Sequence, residues 1–588
     1  MLNQYRALRI MEAKPTDAVG HSLYGCAAGL LIGLVTLVSI AERAWLLFST
    51  PLMPGINGAY YLVQTRALLE HGRLGIPDLP LTFWVDAGLA SLVQLFSGMA
   101  LEPSIMLAVK LEDAVLPALV AMPVFALVRR WTARVGSGLW LPAGAALAVA
   151  AGSPALGMVG DLQKNSLALV WLAGLLWGLH RWLEEPRAKN AAVAVLFLTL
   201  AGLTHIGVFG WALALAGLAL AVALWRSDRQ VRRQILPWLV AGGATCSLAA
   251  ALVLWKYDPA RVQRLTSAIT HPLTFLSKDQ GKLGNRPKAD QPDPHHLGQN
   301  DFRPQPQPDG GRNGFVQPPG GPGGMMMFGR FGWASSAAFL TAATGALAAV
   351  WFRRKTLSAG DVSVVVGCAL GLIVLGGPWV TGDKVMRFAL IAVGPAVVCA
   401  AFALTQLPMP KTRNTVITLI ALGLVGTGVV RVKAGGRPII TPRAADELRS
   451  LAGNLSAPEK TLIVARHGLE WWTAWFLHTH IAHVDVLKDS DWQNYQQIYF
   501  LRQKAGMHMP AGPRPGQGQF PPNFGGPGRA GGRPPGGGGA MAEPMIPRHA
   551  AITHDGGCFT LARVMTPIRR RPAPAENFNQ PPPADHFP

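Results

Sequence analysis

The sequence predicts a polytopic α-helical membrane protein with about 11 transmembrane helices and a small C-terminal α/β domain. Half of its 588 residues are apolar and only 14% are charged, a composition too apolar for a soluble multidomain protein. Several runs of about 20 residues carry almost no charge, which is the length needed to cross the roughly 30 Å hydrocarbon core of a bilayer. After about residue 433 the pattern changes to short apolar runs that alternate with amphipathic segments.

Hydropathy places the membrane-spanning segments within residues 22–432. The first, from Ser22 to Ile40, also fits the apolar part of a signal peptide, but the long polar leader and the many later spans favour a true span. The fifth span is short, and its junction with the sixth falls at His205. The proposed spans are 22–41, 105–128, 138–158, 166–180, 191–204, 206–225, 235–255, 334–352, 361–376, 388–405 and 414–432.

Lysine and arginine set the orientation of these spans, because both residues are enriched in cytoplasmic loops. With residues 1–21 inside the cell, the basic loops fall on one side and the C-terminus lies outside. This solution requires residues 81–98 to lie along the outer surface as an amphipathic helix rather than to cross. The basic loop residues are Arg129, Arg130, Arg134, Arg181, Arg187, Lys189, Arg226, Arg229, Arg232, Arg233, Arg353, Arg354, Lys355, Lys411 and Arg413.

The formal net charge of +21 is explained largely by these loops, so it does not indicate a nucleic-acid partner. We expect the chain to be a multi-pass protein of a bacterial inner (plasma) membrane, in contact with membrane lipids. Its N-terminus is expected in the cytoplasm and its C-terminus in the periplasm. The sequence has five cysteines, four in proposed spans and Cys558 alone in the tail, and it shows no disulfide framework and no CxxC metal motif.

The outer face is the larger one, and any chemistry is expected there. It holds the loop 42–104, the loop 256–333 and an extracytoplasmic α/β domain over residues 433–565. Three segments are rich in proline and glycine and cannot bury enough apolar surface to offset the entropy of ordering. The segments predicted to be disordered are 284–327, 507–545 and 566–588.

Within the α/β domain, "TPRAADELRSLAGNL" predicts a capped amphipathic helix and "KTLIVAR" a short buried strand. "GLEWWTAWFLH" predicts a second helix, in which Trp471 and Trp472 are interpreted as domain core. "IAHVDVL", "YQQIYFLRQK" and "GCFTLARV" (557–564) predict further strands. Three nearby histidines, His478, His480 and His483, straddle a helix-to-strand turn, so no shared metal geometry is assumed.

The first outer loop contains "PGINGAYYLVQTRALLEHG", a polar helix between two apolar stretches. It places Tyr60, Tyr61 and Arg66 on one short helix that ends at Gly72, a suitable C-cap. The helix is too polar to span a bilayer, and interfacial tyrosines face the headgroup layer. It is therefore a candidate wall for a substrate that is half in lipid and half in water. The alternative is a surface helix that only packs the loop.

Two later segments place charged residues at the membrane surface. "GMVGDLQKNSLALVWL" puts Asp161 and Lys164 at a span junction, where Asp161 could also cap the following helix. "TGDKVMRFALIAVGP" puts Lys384 and Arg387 where a span re-enters the membrane. An arginine there suits a phosphate, and the alternative is an arginine that reaches the lipid headgroups. His205, at the junction of two spans, is a weaker candidate.

The order of these parts resembles the GT-C superfamily of membrane glycosyltransferases, which includes protein mannosyltransferases, aminoarabinose transferases and oligosaccharyltransferases. The resemblance covers most of residues 22–432, and it implies transfer of a sugar from a polyprenyl-phosphate carrier to a lipid, glycan or protein acceptor on the outer face. It implies that Asp161 is the acid of the second loop and that Arg387 holds the carrier phosphate. A divalent metal ion is left open, and no cofactor is assigned.

The chain departs from this family at one position, because Asn57 stands where the first outer loop commonly supplies an acid. An amide can orient a hydroxyl group but cannot accept its proton at neutral pH. Either Asp161 is the base, or another loop acid substitutes, or the chain does not catalyse transfer. The substitute acids are Glu70, Asp78 and Asp86.

The sequence is therefore compatible with three functions. The first is a membrane glycosyltransferase with Asp161 and Asn57 as catalytic candidates and with substrate-binding candidates on four segments. The second is a non-catalytic scaffold or binding subunit in envelope glycan assembly, which Asn57 favours. The third is a transporter or flippase, for which Lys110, Glu112 and Asp113 are the ionisable residues inside a span. The substrate-binding candidates are Tyr60, Tyr61, Arg66, Lys164, His205, Lys384 and Arg387.

Overall fold

The computed structural model describes most of the chain outside its proline- and glycine-rich segments. The described residues are 18–135, 138–227, scattered positions between 232 and 256, 323–380, 384–407, 410–483, 491–504, 544, 546–547 and 550–564. The predicted disordered segments thus lie almost wholly outside the described residues. An exception is 323–327, which forms the start of a helix rather than part of a disordered tract. The proposed span 235–255 also lies largely outside the described residues.

The first half of the described chain is helical, and its helices follow the apolar periodicity of the sequence. Prolines and glycines separate most of them, since these residues interrupt helical hydrogen bonding. The helices are α1 (Ala18–Phe48), α2 (Gly58–His71), α3 (Leu81–Ser97), α4 (Leu101–Val115), α5 (Ala121–Arg134), α6 (Trp140–Ala150), α7 (Gln163–Glu184), α8 (Ala188–Thr204) and α9 (Ile206–Arg226).

Four long helices follow, and then the C-terminal domain begins. They are α10 (Gly323–Arg353), α11 (Ala359–Gly376), α12 (Lys384–Thr405) and α13 (Pro410–Ala434). Among the described residues, seven helices are long and apolar enough to cross a membrane. They occupy 25–48, 101–134, 163–184, 206–226, 334–353, 359–376 and 385–405. The polytopic helical fold class is confirmed, whereas the count of 11 spans stays a prediction.

The difference in count has local causes. The predicted span 138–158 is broken, because α6 ends at Ala150 and only a one-turn helix, Ser153–Leu156, follows it. The predicted spans 191–204 and 414–432 correspond to α8, a shorter apolar helix, and to α13. Helix α3 has 17 residues and packs beside α4. Its predicted position along the outer surface stays a prediction.

The loops predicted to be cytoplasmic meet at one end of the helical bundle. Arg134, at the end of α5, pairs with Glu184, at the end of α7, at 2.7 Å and with Asp361, at the start of α11. Arg226, at the end of α9, donates to the carbonyl of Arg354 at 3.3 Å. Asp161 precedes the opposite end of α7, roughly 33 Å away along a 22-residue helix.

The C-terminal domain contains a five-stranded mixed sheet in the order β2-β1-β3-β5-β4. Strand β1 pairs in parallel with β2 and β3, while β5 pairs antiparallel with β3 and β4. Helices α14 (Pro442–Leu451) and α15 (Leu469–Leu477) complete the domain, and the Thr441 hydroxyl caps α14 as predicted. The strands are β1 (Thr461–Ala465), β2 (His480–His483), β3 (Gln497–Gln503), β4 (Ala550–Asp555) and β5 (Phe559–Val564).

A continuous apolar core joins this domain to the first outer loop. Buried residues of the loop, such as Leu62 and Phe83, belong to the same cluster as Leu448, Trp472 and Phe559 of the α/β domain. The interpretation of Trp472 as core is confirmed, since its side chain is fully buried. The burial of this apolar surface fixes the α/β domain against α2, and so places its loops beside the second outer loop at Asp161.

Candidate functional site

An open cleft of about 1170 Å³ lies where the C-terminal ends of α1 and α13 meet residues 54–56 and 153–161. Its wall carries one carboxylate, that of Asp161, and three basic residues, Arg431, Lys433 and Arg437. Much of the remaining wall is apolar or glycine. The cleft thus combines the charges expected for a phosphorylated ligand with an apolar surface beside a proposed span.

Two glycines with positive φ bring the two outer loops together at Asp161. At Gly55 (φ +86°) a Cβ atom would lie 2.6 Å from the Cβ atom of Asp161, and at Gly160 (φ +78°) it would lie 2.5 Å from the carbonyl oxygen of Pro54. The N–H of Gly55 also donates to the carbonyl of Arg437 at 3.0 Å. Only glycine fits this close backbone approach, which holds Asp161 against the first loop.

Asn57 orients the carboxylate of Asp161. The main-chain N–H of Asn57 donates to Oδ1 of Asp161 at 2.7 Å, and its side-chain amide donates to the same oxygen at 3.0 Å. The hydroxyl of Tyr61 donates to the main-chain carbonyl of Asp161 at 3.4 Å. The alternative role of Asp161 as the N-cap of α7 is wrong, because Leu162 is the N-cap and no side chain caps this helix.

Tyr60 and Lys164 converge on Asp78, a buried acid of the first loop. The Tyr60 hydroxyl and the Lys164 ammonium both donate to Oδ2 of Asp78, and the N–H of Leu79 donates to Oδ1 at 2.7 Å. Burial raises the pKa of Tyr60, and the negative charge of Asp78 raises it further. The predicted binding residues Tyr60 and Lys164 are thus together, but the Lys164 charge is paired within the protein. Asp78, a candidate substitute base, is engaged by three donors.

Arg66 attaches the α/β domain to the first loop. Its guanidinium donates to the carbonyl oxygens of Trp475 and Ala474, both at 2.7 Å, and lies 4.9 Å from the Trp475 ring centroid. It also pairs with Glu102 at 3.2 Å. These contacts satisfy carbonyls at the end of α15. They give Arg66 an interdomain role and leave its predicted substrate-binding role without structural support.

Two other predicted binding residues, His205 and Arg387, are not among the residues of the cleft wall. His205 separates α8 from α9, as predicted, and its Nδ1 accepts from the N–H of Val208 at 3.2 Å, which is a helix-capping contact. Arg387 is exposed on α12 and is not part of the cleft wall. Lys384 begins α12, and its side chain lies outside the described residues, as does all of Asp383.

The cleft bases and one histidine were missed by the sequence reasoning. Arg431 and Lys433 end the last proposed span on its predicted outer side, where the positive-inside rule expects few bases. This departure from the positive-inside rule was the sequence signal that could have identified the cleft bases. His467, in the segment "RHGLE", carried no motif; it lies between β1 and α15, where folding brings it near Asp161.

Two of the buried ionisable residues on α4, Asp113 and Lys110, are held by contacts within the chain. Asp113 pairs with Arg43 at 2.5 Å and accepts from the N–H of Gly160 at 2.6 Å, while Lys110 donates to the carbonyl of Thr50 at 2.7 Å. Glu112 is also buried, with no hydrogen-bond partner among the described residues. Asp113 thus supports the backbone next to Asp161, and this favours a structural role over an ion pathway.

Among the described residues, one group has the composition and spacing of a metal site. It comprises His180, Glu184 and Asp361 at the opposite end of the bundle. The guanidinium of Arg134 pairs with both carboxylates there, so the charge balance is that of an ion-pair network. In the cleft, the described wall offers one carboxylate beside three cations, which does not fit the oxygen-rich ligand set of a divalent metal ion.

Comparison with known proteins gave likenesses to solved structures. Protein-family models gave no match, and the curated proteins gave none either. The chain is similar to the oligosaccharyltransferase of Archaeoglobus fulgidus, solved in complex with zinc and sulfate, at 14% identity and a TM-score of 0.49, over 80% of this chain and 67% of that one. It is similar to ArnT from Cupriavidus metallidurans, solved bound to undecaprenyl phosphate, at 12% identity and a TM-score of 0.46, over 93% of this chain and 98% of that one. Both TM-scores lie below 0.5, so neither likeness carries a conclusion about the activity of this chain.

Proposed function

We propose that this protein is a membrane glycosyltransferase of the GT-C type, which transfers a sugar from a polyprenyl-phosphate carrier to an acceptor at the outer face of the membrane. The observation that carries the proposal is the composition of the cleft. One oriented carboxylate, Asp161, shares the cleft with three cations, Arg431, Lys433 and Arg437, beside apolar helix ends.

The three cations suit the phosphate of the carrier. Guanidinium groups form paired, charge-assisted hydrogen bonds with phosphate oxygens, and an ammonium adds a point charge. When the sugar leaves, the bond between its anomeric carbon and the phosphate oxygen breaks, and negative charge develops on that oxygen. Fixed cations stabilise this charge more in the transition state than in the ground state, which lowers the barrier.

Asp161 suits the sugar side of the same bond. Positive charge develops on the anomeric carbon and ring oxygen as the phosphate leaves, and a nearby carboxylate stabilises it. The two hydrogen bonds from Asn57 hold this carboxylate in one orientation. Asn57 is thus a positioning residue in this proposal, which explains an amide at a position where a base was expected.

The positions of Arg431 and Lys433 in the chain support a lipid-linked sugar donor. Arg431 and Lys433 lie at the end of a proposed span, so a phosphate bound there would leave a polyprenyl chain at the height of the bilayer. The exposed apolar residues Val429 and Val430 precede these bases on α13. A soluble nucleotide sugar would not need this apolar surface.

The test uses the full-length protein in nanodiscs with a panel of radiolabelled polyprenyl-phosphate sugars and candidate lipid, glycan and peptide acceptors. We expect release of polyprenyl phosphate together with labelled acceptor. A variant carrying Arg431→Gln, Lys433→Gln and Arg437→Gln should bind polyprenyl phosphate at least about tenfold more weakly. The matched control replaces Arg353, Arg354 and Lys355, three exposed bases at the opposite end of the bundle, and should bind as the wild type does.

Other outcomes of the same assay favour the remaining functions. Carrier binding that depends on the cleft bases, without release of carrier phosphate from any donor, would favour the non-catalytic binding subunit. If the protein neither binds the carrier nor releases carrier phosphate, that result would count against the proposal and would favour transport or scaffolding. If Arg387→Ala weakens carrier binding and the triple cleft variant does not, the phosphate site lies on α12, as the sequence predicts.

A further inference from the structure

We propose that His467 of the α/β domain, oriented by Glu470, accepts the proton of the acceptor hydroxyl when that hydroxyl attacks the anomeric carbon. This inference rests on the proposed function and assigns to a second domain the base that the first loop lacks. In the step, the acceptor oxygen–carbon bond forms and the carbon–phosphate oxygen bond breaks. The hydroxyl proton moves to the His467 imidazole, and polyprenyl phosphate leaves with the bonding electrons.

The backbone around His467 is seated directly on the cleft wall. The next residue, Gly468, has φ +89°, and a Cβ atom there would lie 2.6 Å from Cδ1 of Ile439 and 2.8 Å from Cγ2 of Ile56. Both isoleucines line the cleft, and Ile56 precedes Asn57, which is hydrogen-bonded to Asp161. Tight packing around a glycine that no other residue can replace fixes the position of His467 relative to the cleft.

His467 and Glu470 form an oriented pair. Nδ1 of His467 lies 2.9 Å from Oε1 of Glu470, and the two residues are three positions apart across the start of α15. The Glu470 side chain is 6% exposed, whereas that of His467 is 37% exposed. A buried carboxylate that holds one imidazole nitrogen fixes the tautomer and directs the other nitrogen, which is the arrangement of base and orienting acid in nucleophilic enzymes.

The charges that face His467 suit a base. The hydrogen bond that His467 donates to Glu470 raises the pKa of His467 above its usual value of 6.5, and the charges of Glu470 and Asp161 raise it further. Burial and the neighbouring Arg466 act in the opposite direction but are outweighed. The imidazolium that forms would be hydrogen-bonded to the Glu470 carboxylate and stabilised further by the charge of Asp161, which lowers the cost of creating its positive charge.

The pH dependence of such a base has a definite sign. His467 must be neutral to accept a proton, so the transfer rate should rise with pH through the pKa of His467 and should fall in acid. Glu470→Gln removes the charge of Glu470 and leaves only a neutral amide as the hydrogen-bond partner of His467, so it weakens the largest cause of the raised pKa. The acid limb of the pH–rate profile in Glu470→Gln should therefore move to lower pH, while the maximal rate falls because the imidazole is less well oriented.

The experiment measures polyprenyl phosphate release against pH with the full-length protein and the donor that the panel identifies, together with binding of polyprenyl phosphate alone. We expect His467→Gln to lower kcat by about 100-fold or more and to lose the acid limb of the pH–rate profile. The variant should bind polyprenyl phosphate as the wild type does, and this binding also shows that the variant is folded. The matched control is His554→Gln, which removes another histidine of this domain that pairs with a glutamate, at 3.3 Å from Glu447.

Three outcomes would overturn the inference. Wild-type rates in His467→Gln, or an acid limb that does not move in Glu470→Gln, would show that another group takes the proton while the proposed function stands. Failure of the wild-type protein both to bind polyprenyl phosphate and to release it would overturn the proposed function, and this inference with it.

Discussion

Asn57 donates two hydrogen bonds to a single oxygen of Asp161, one from the main chain at 2.7 Å and one from the side-chain amide at 3.0 Å. The two residues belong to different interhelical loops, 104 positions apart in the chain. An acid at position 57 would place two carboxylates within hydrogen-bonding distance, where like charges repel unless a proton or a metal ion lies between them. The amide avoids that repulsion and holds Asp161 in one orientation through these two hydrogen bonds.

This relationship predicts the behaviour of Asn57→Asp. The paired carboxylates should create a site that binds Mn²⁺ or Mg²⁺ more tightly than the wild-type protein does, because hard divalent cations prefer carboxylate oxygens. Calorimetric titration of the full-length protein with Mn²⁺ measures this directly. Asn57→Ser is the control, since it also removes the amide but adds no charge. Equal Mn²⁺ affinity in the wild type and Asn57→Asp would show that the two side chains are not held together.

Asp161→Asn should remove catalysis and preserve binding. The substitution keeps the shape of the side chain but removes the charge that stabilises the sugar in the transition state. We expect the rate of carrier release to fall by about 100-fold or more and the affinity for polyprenyl phosphate to stay within about threefold. Asp555→Asn, at an exposed position on β4, serves as the control. A comparable fall in both variants would point to a general effect on stability.

Much of the fold was predictable because its signals are local. Hydropathy located the seven described helices that are long and apolar enough to cross a membrane, and the junction of α8 and α9 falls at His205 as predicted. Four of the five strands were predicted, with the last part of the second lying outside the described residues. Strand β4 was missed because "AAITHD" is a mostly exposed edge strand, whose residues carry no clear apolar alternation.

The site was less predictable because its contacts join distant segments. Asp161 and Asn57 were both candidates, yet no periodicity could show that one orients the other. Arg66 carried the same signal as a ligand-binding arginine, but its partners are carbonyls of a helix more than 400 positions later. The cleft bases at the end of α13 looked like a boundary of a span, since the cleft that they share is formed by segments far apart in the chain.

Replacement of Arg66 distinguishes docking from substrate binding. Arg66→Met leaves the carbonyls of Ala474 and Trp475 without their charged donor, so we expect the interface between α2 and α15 to lose roughly 2–4 kcal/mol. Limited proteolysis and thermal unfolding of the full-length protein should show earlier cleavage within the α/β domain and a lower Tm. Arg73→Met, at an exposed position just after α2, is the control. Unchanged stability combined with weaker carrier binding would restore the substrate-binding role predicted for Arg66.

The contacts of Glu447 predict that the attachment of the β4–β5 hairpin to α14 depends on pH. This carboxylate of α14 accepts from the N–H groups of Cys558 at 2.7 Å and Phe559 at 2.9 Å, and it pairs with His554 at 3.3 Å. Burial alone would raise the pKa of Glu447, but these hydrogen bonds outweigh burial and lower it below the usual 4.5. Because the folded-state pKa is lowered, the stabilisation is fully present above the unfolded-state pKa and is lost as pH falls through the folded-state value.

Hydrogen exchange at the amides of Cys558 and Phe559 should therefore be slow at neutral pH and should gain an extra acid-induced acceleration, relative to intrinsic rates, below about pH 4.5. In Glu447→Gln the neutral amide is a weaker acceptor, so we expect a loss of about 1–2 kcal/mol of protection at neutral pH and no extra loss in acid. Glu459→Gln, at an exposed position before β1, should keep the wild-type profile. The same acid-induced loss in the wild type and in Glu447→Gln would assign the transition to another group, because a side chain without a titrating carboxyl cannot produce it.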